Sequence, residues 1–123
     1  MYDKELALEI LDQIYQATQT ILRRFEPIKS ANDFTDSLAG MEKFDGICMQ
    51  LIVIGEGLKN LDKVTKKSLL PNYPQVEWKS AKALRDIISH HYFKVDAAAI
   101  YEVCKNNIDE LAQTIKQMIK ELS

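Results

Sequence analysis

Both histidines of the chain lie side by side in the second half of the sequence, and His90 follows Arg85 by five residues. An arginine is a permanently charged, forked donor that suits a phosphate, and a histidine can exchange a proton near neutral pH. Asp86 precedes His90 by four residues, so on a helix its carboxylate would lie one turn away and favour the protonated ring. We interpret Arg85, Asp86 and His90 as candidate catalytic residues for proton transfer at a phosphate.

A helix must position these side chains. Residues 76–92 contain neither Pro nor Gly, and their Ala, Leu and Ile content favours a helix. Successive residues of a helix turn by about 100°, which places Arg85, Ser89 and Tyr92 on one stripe. The carboxylate and the histidine, four residues apart, fall on the adjacent stripe. The polar side chains are therefore predicted to converge.

A structural interpretation of the same residues remains open. An arginine, an aspartate and a histidine on one helix also occur on solvated faces and in salt-bridge clusters at interfaces. His91 lies on a more apolar side than His90, and we interpret it as a structural or interface histidine instead of a second catalyst. Side-chain types alone do not decide between catalysis and structure.

Lysines flank the motif. Lys79 and Lys82 share or adjoin the stripes of the candidate catalytic residues, and Lys94 follows the motif. We expect them to form a basic strip that holds an RNA backbone, although solvated surfaces carry the same pattern. A second cluster is predicted in a loop and consists of Lys63, Lys66 and Lys67.

The composition predicts one soluble, globular domain over residues 1–123, with 46% hydrophobic and 28% charged residues. A net charge of −2 argues against a protein that coats RNA through general basicity. Because there is no long apolar run and no leader pattern, we expect no membrane contact and a cytoplasmic location. Cys48 and Cys104 lack C-x-x-C partners and are predicted to be buried, reduced thiols. No metal site and no cofactor are expected.

The hydrophobic spacing predicts an all-α fold. The first predicted helix spans residues 4–25, and a short helix with Ser30 as N-cap begins near Phe34 and Leu38 and is interrupted at Gly40. A largely apolar helix over residues 44–58 follows, and a mobile loop is predicted over residues 63–75. A helix over residues 76–92 comes next, and a last helix is capped by Asp96 and continues to Leu122.

Three further residues invite a functional interpretation. Gly55 and Gly57 lie in a helical pattern without the strand and turn of a phosphate-binding loop, so we interpret them as points of close helix packing. Trp78 could stack on a base. Packing of the helix start against the core is the preferred interpretation.

The spacing of Arg85, His90 and Tyr92 resembles the R-x4-H-x-Y signature of the HepT family, the toxin half of MNT/HepT toxin–antitoxin pairs, within the HEPN class of small helical ribonucleases. The flanks carry further similarities: Ile54-Gly55-Glu56-Gly57 resembles the Ile-Gly-Glu-Ala turn of the family's central helix, Pro74, Val76 and Trp78 resemble its Pro-x-Ile-x-Trp stretch, and Tyr92-Phe93-x-Val95-Asp96 resembles the segment after the motif. The similarity runs over residues 51–96, with a compatible helical pattern on both sides. Asp86 departs from the commoner Asn, and Gly57 departs from Ala.

This resemblance implies a dimeric HEPN-type bundle of four to five helices and a metal-independent endoribonuclease. Arg85 would stabilise charge on the phosphate, His90 would act as general base or acid, and Asp86 would position one of them. Because the single motif histidine of a chain does not supply both an acid and a base, the resemblance implies that two motifs meet across the interface of a homodimer.

The resemblance also implies a partner. The chain would be the toxin of a type VII-like pair, neutralised when a cognate nucleotidyltransferase antitoxin of the MNT type adenylylates Tyr92. The alternative for Tyr92 is a helix-end residue whose phenol hydrogen-bonds across the interface. The alternative for the protein is a non-catalytic subunit that binds nucleotide or substrate for a nucleotidyltransferase, and a plain helical dimerisation module is the third reading.

Overall fold

The computed structural model describes residues 2–123, apart from the side chain of Phe93. It contains five α-helices and no strand in this range: α1 Lys4–Phe25, α2 Leu38–Thr65, α3 Trp78–His91, α4 Ala97–Asn106 and α5 Ile108–Leu122. Three short 3-10 helices connect them: Ala31–Phe34, Leu70–Asn72 and Tyr92–Lys94. The all-α prediction, with four to five helices, is confirmed.

The first helix forms as its sequence predicts. The Asp3 carboxylate accepts a hydrogen bond of 3.0 Å from the Leu6 N–H and caps α1. The buried residues of α1 recur at three- and four-residue spacing and lie on one face: Ala7, Ile10, Leu11, Ile14, Ala17, Thr18 and Ile21. The helix ends at Phe25, two residues before Pro27, which cannot continue the hydrogen-bond pattern.

The second helix is one continuous element, so the predicted break at Gly40 is wrong. The Ser37 hydroxyl accepts a hydrogen bond of 2.9 Å from the Gly40 N–H and caps α2. A Cβ at Gly40 would lie 1.9 Å from the Asp33 carbonyl oxygen. The glycine therefore lets the 3-10 helix approach the first turn of α2 and does not interrupt the helix. Ser30 makes no side-chain capping hydrogen bond in the described structure, contrary to its predicted role.

The predicted last helix is divided at Asn107 into α4 and α5. Asp96 caps α4, as predicted, by accepting a hydrogen bond of 3.0 Å from the Ala98 N–H. Asn107 has φ −120° and ψ −30°, outside regular helix geometry. Asn side chains compete with the helix for backbone hydrogen bonds, and Asn106 and Asn107 stand in sequence at this break.

The segment predicted as a mobile loop is largely packed. α2 continues to Thr65, and Leu69, Leu70 and Tyr73 are buried beyond it. The Trp78 indole is buried and donates a hydrogen bond of 2.8 Å to the Tyr73 carbonyl oxygen. Trp78 therefore packs in the core, as preferred from the sequence, and a segment with this much apolar burial is not expected to be mobile.

The helices pack around α2, which contacts α1 along one side and α3 along another, while α5 packs on α1. Cys48 and Cys104 are buried free thiols, as predicted. Burial raises the pKa of each to about 12, so both remain protonated and unreactive at neutral pH.

Candidate functional site

The candidate site lies where α3 crosses α2, and salt bridges fix the register of the two helices. The pairs join Asp62 to Lys82 at 2.6 Å, Lys59 to Asp86 at 2.9 Å and Glu56 to Arg85 at 2.7 Å. From the first pair to the last, the residue number decreases in α2, whereas it is higher in α3 for the second and third pairs than for the first. The two helices therefore run antiparallel.

Gly55 allows this close crossing. A Cβ at Gly55 would lie 2.4 Å from the Cβ of Arg85 and 3.4 Å from its Cα. Such a contact cannot form without moving the α3 backbone, because the nearest atoms belong to the root of the arginine side chain. The interpretation of Gly55 as a point of close helix packing is confirmed. Gly57 has the same role toward α1, since its Cβ would lie 2.7 Å from the Ile14 side chain.

Arg85 is held by two carboxylates. Its Nε donates to Glu56 at 2.7 Å, and its Nη1 donates to Asp86 at 3.1 Å. The hydrogen bond to Asp86 and the charge of Glu56 raise the pKa of the guanidinium, which stays positive. A guanidinium has five N–H donors, so the contacts within the described part of the chain leave three for a ligand. Its side chain is 30% exposed, which gives a phosphate access.

Asp86 is hydrogen-bonded to Arg85 and Lys59. Its carboxylate accepts hydrogen bonds of 2.9 and 3.0 Å from the Lys59 ammonium in addition to the bond from Arg85. The hydrogen bond from Lys59 and then that from Arg85 hold its pKa below the usual range. Of the two roles expected for Asp86, the geometry contains the contact with Arg85 and, among the described residues, no hydrogen bond to His90.

His90 lies on a different face from Arg85. Five residues separate the two, which on a helix corresponds to about 140° around the axis and about 7.5 Å along it. Both histidine rings are exposed at the end of α3. The described hydrogen bonds join Arg85 to Glu56 and Asp86 and do not include His90, so the convergence of His90 with them stays a prediction. His91 is not on a buried side either.

Tyr92 follows α3 directly and reaches the first half of α2. Its phenol donates a hydrogen bond to the carboxylate of Asp45. This bond, with a smaller effect of burial, raises the pKa of Tyr92 to about 12. The tyrosine is 38% exposed, so its oxygen combines a carboxylate partner with access from solvent.

The three predicted RNA-binding lysines do not form one strip. Lys82 pairs with Asp62, whose side chain is only 11% exposed, so Lys82 neutralises a largely buried carboxylate. Lys79 is exposed near the start of α3. Lys94 is exposed beyond the other end of the same helix, which separates it from Lys79.

The residues of α2 that hold the motif were not predicted from the sequence, in which Glu56 stands out only as part of the family-like turn. Asp45, Lys59 and Asp62 belong to the same helix and were not among the predicted site residues. The available signal was a set of charged residues in an otherwise apolar helix, although their partners lie 20 to 47 residues away.

Residues 2–123 contain no group of three or more His, Cys, Asp or Glu side chains that could hold a metal ion. In the same range, no helix combines the length and apolar character that crossing a membrane requires.

Comparison with known proteins identifies the family. The sequence model of the HepT-like family, described as "Ribonuclease HepT-like", matches residues 7–118. "Putative RNase MJ0127" of Methanocaldococcus jannaschii is 31% identical over 79% of the chain and 82% of its own length. "Putative RNase TTE0752" of Caldanaerobacter subterraneus subsp. tengcongensis is 29% identical over 90% and 92%. "Probable ribonuclease HepT" of Thermococcus cleftensis is 26% identical over 71% and 76%. No solved structure gives a significant match.

The family match includes the whole α3 motif and covers α2, α3 and α4 completely and most of α1 and α5. It confirms the resemblance that Arg85, His90 and Tyr92 carry. At the level of the family, the names of the relatives support ribonuclease activity. The chain belongs to the HepT-like family of the HEPN superfamily.

Proposed function

We propose that this protein is a metal-independent endoribonuclease and the toxin of a toxin–antitoxin pair. One observation supports it above all: Arg85 is positioned by two carboxylates with donors left for a phosphate, five residues before an exposed histidine, in a HepT-like chain. The substrate is RNA because the proposed chemistry requires a 2′-hydroxyl beside the phosphate.

In the proposed reaction the 2′-oxygen attacks the adjacent phosphorus and the bond to the 5′-oxygen breaks. His90 takes the proton from the hydroxyl or gives one to the leaving oxygen. Arg85 stabilises the charge that grows on the phosphoryl oxygens. Glu56 and Asp86 act as positioning residues, since each bonds the guanidinium and fixes its orientation.

A homodimer would complete this site. Along α2, the exposed apolar residues Leu38, Met41, Met49 and Val53 lie on one stripe that also contains Asp45 and Glu56. Through these two carboxylates the stripe adjoins Tyr92 and Arg85. Single exposed apolar residues are ordinary, but a row of four next to the motif is typical of an interface. A second copy on this stripe would bring a second motif close to the first.

Two substitutions test the chemistry. Arg85→Ala and His90→Ala should each abolish RNA cleavage and leave the circular dichroism spectrum unchanged, because neither residue belongs to the buried core. His91→Ala is the matched control and should cleave like the wild type. Full activity in the His90 variant would refute the assignment, and loss of wild-type activity on chelation would show a required metal.

Regulation through Tyr92 belongs to the same proposal. The Tyr92 oxygen would attack the α-phosphorus of ATP bound to a nucleotidyltransferase antitoxin, with release of pyrophosphate. The Asp45 carboxylate, which already accepts the phenol hydrogen bond, would take the proton. The adenylyl group would add negative charge and bulk beside the motif and compete with the RNA phosphate.

Co-expression with an adjacent nucleotidyltransferase tests this step. The mass of the chain should rise by one or more adenylyl units, and peptide mapping should place them on Tyr92. Tyr92→Phe keeps the ring and should prevent both the mass shift and neutralisation. Modification mapped to Tyr73 or Tyr101 would contradict the assignment.

A non-catalytic partner subunit is the second candidate. The observation that favours it is the separation of Arg85 and His90 onto different faces of α3 within one chain. In that function Arg85 would bind a phosphate of a nucleotidyltransferase substrate while His90 took no part. Phosphate-ligand binding that depends on Arg85, without RNA cleavage by the wild-type dimer, would identify it.

A further inference from the structure

A groove runs between the second half of α2 and the first half of α3, with a volume of about 480 Å³. Five lysines line it: Lys59, Lys63, Lys67, Lys79 and Lys82. Two aspartates also line it, so the groove carries an excess of three positive charges on a chain whose net charge is −2. The groove is thus a local excess of positive charge on a chain that is acidic as a whole.

The charges of the groove are of two kinds. Lys59 and Lys82 pair with the two aspartates across the helix crossing at 2.9 and 2.6 Å. Lys63, Lys67 and Lys79 are exposed, and their ammonium groups make no hydrogen bond or ion pair with any residue in the described range. The first pair holds the helices together, and the other three ammonium groups remain available to a ligand.

The backbone that carries one of these lysines is unusual. Lys66 and Lys67 have φ values of 55° and 62°, the left-handed region in which glycine or asparagine is the usual residue after a helix. Both N–H groups point to the Asp62 carbonyl oxygen, and that of Lys67 lies 2.9 Å from it. This turn returns Lys67 to the groove beside Lys63.

The groove ends at the candidate active site. Asp86 lines it and accepts the hydrogen bond from Arg85. Lys79 lies six residues before Arg85 on α3, about 9 Å along the helix axis. A chain of phosphates that occupies the groove would therefore reach the guanidinium.

We propose that this groove binds the sugar–phosphate backbone of single-stranded RNA and leads it to Arg85, an inference that rests on the proposed ribonuclease function. Lysine ammonium groups are point charges that contact phosphates without reading bases. No aromatic residue lines the groove in the described structure, and Trp78 and Tyr73 are buried, so no platform for base stacking is offered. Binding should therefore depend strongly on salt and weakly on sequence.

The test measures RNA binding apart from cleavage. Fluorescence anisotropy measures the binding of the protein to a fluorescently labelled single strand of 2′-O-methyl RNA, which lacks the attacking hydroxyl. Lys63→Ala, Lys67→Ala and Lys79→Ala combined should weaken binding at least about tenfold at 0.1 M salt and lower the salt slope by about 2. The matched control removes three exposed lysines outside the groove, Lys4, Lys116 and Lys120, and should bind within about twofold of the wild type.

The outcomes separate the two proposals. Equal binding by the groove variant and the control overturns the groove, even if both cleave RNA. Groove-dependent binding without any cleavage of unmodified RNA keeps the groove and overturns the ribonuclease. Displacement of the RNA by ATP at matched phosphate concentration would identify a mononucleotide site and overturn the proposal. Lys→Arg substitutions at the three groove positions retain the positive charge and should preserve binding. Weak binding by the alanine variant alone is then attributed to the lost charge and not to misfolding caused by substitution at these positions.

Discussion

Two side chains of the motif, those of Arg85 and Tyr92, are each held by a carboxylate from α2. Arg85 is bonded to Glu56, and Tyr92 is bonded to Asp45. These partners do different work: a carboxylate next to a guanidinium keeps it charged and oriented, while a carboxylate next to a phenol keeps the phenol protonated. At neutral pH Tyr92 therefore becomes a nucleophile only as its proton is removed.

The titration of Tyr92 should reveal its partner. Its pKa is raised to about 12. The bond to Asp45 therefore adds to the free energy of unfolding at pH values below the ordinary tyrosine pKa of about 10, and this contribution is lost as the pH rises through about 12. Asp45→Asn should move the tyrosinate absorbance of Tyr92 to lower pH. The measurement is the difference in alkaline absorbance between each protein and its Tyr92→Phe counterpart.

Tyr73 serves as the internal control, because burial and its bond to Glu121 raise its pKa to about 12 independently of Asp45. Its titration should not change in the Asp45 variant. An unchanged Tyr92 titration would show that Asp45 does not hold the phenol in solution.

The contact between α2 and α3 depends on a missing Cβ. At Gly55 the backbone of α2 lies against the Cβ of Arg85. The ion pairs between the two helices are instead made by the ends of flexible side chains, which can adapt to small shifts. The position and rotation of α3, and with them the direction of the guanidinium, follow from this packing.

Gly55→Ala should destabilise the protein by about 1–3 kcal/mol, because the new methyl group forces the helices apart. Urea unfolding measures the change, and RNA cleavage should fall in the same variant. Gly46→Ala is the control on the same helix: its Cβ would meet only the flexible end of Arg24, at 3.0 Å. That variant should be neutral or more stable by up to about 1 kcal/mol, the helix-propensity gain. Equal effects at the two positions would contradict the packing argument.

The assembly that α2 and α3 support extends beyond one chain. The apolar stripe on α2 and the exposed His90 both face outward, and one chain does not bring His90 to Arg85. A symmetric dimer would bury the stripe and supply paired groups for proton transfer, so association and activity should be lost together.

Met49→Glu places a charge in the middle of the stripe, where Met49 is 57% exposed. The wild type should sediment as a dimer at micromolar concentration, and the variant should associate more than about tenfold more weakly and lose RNA cleavage. Leu6→Glu is the matched control, since Leu6 is an exposed apolar residue of α1, 41% accessible and outside the stripe. A wild-type monomer that cleaves RNA would refute the dimeric site.

The spacing of residues along the chain was sufficient to predict much of the fold. It predicted the periodicity of α1, the Asp96 cap, the helix that carries Arg85 and the family resemblance, because helix formation and helix faces depend on residues a few positions apart. The same logic failed at Gly40 and Asn107. Whether a glycine interrupts a helix or admits a neighbour depends on what approaches it, and a break at asparagine is a weak local preference.

The composition of the candidate site could not be obtained from spacing. Asp45 and Glu56 lie 47 and 29 residues from the side chains they hold, and the lysines of the groove come from α2, the turn after it and α3. Their meeting depends on the antiparallel register of α2 and α3, which close contact at Gly55 and the ion pairs establish. The sequence determined which side chains share a face of α3. The packing of α2 against that helix determined that Arg85 points to a carboxylate while His90 points to solvent. A helix sets the directions of its side chains about its own axis, and only the neighbouring helix selects which of these directions meets a partner.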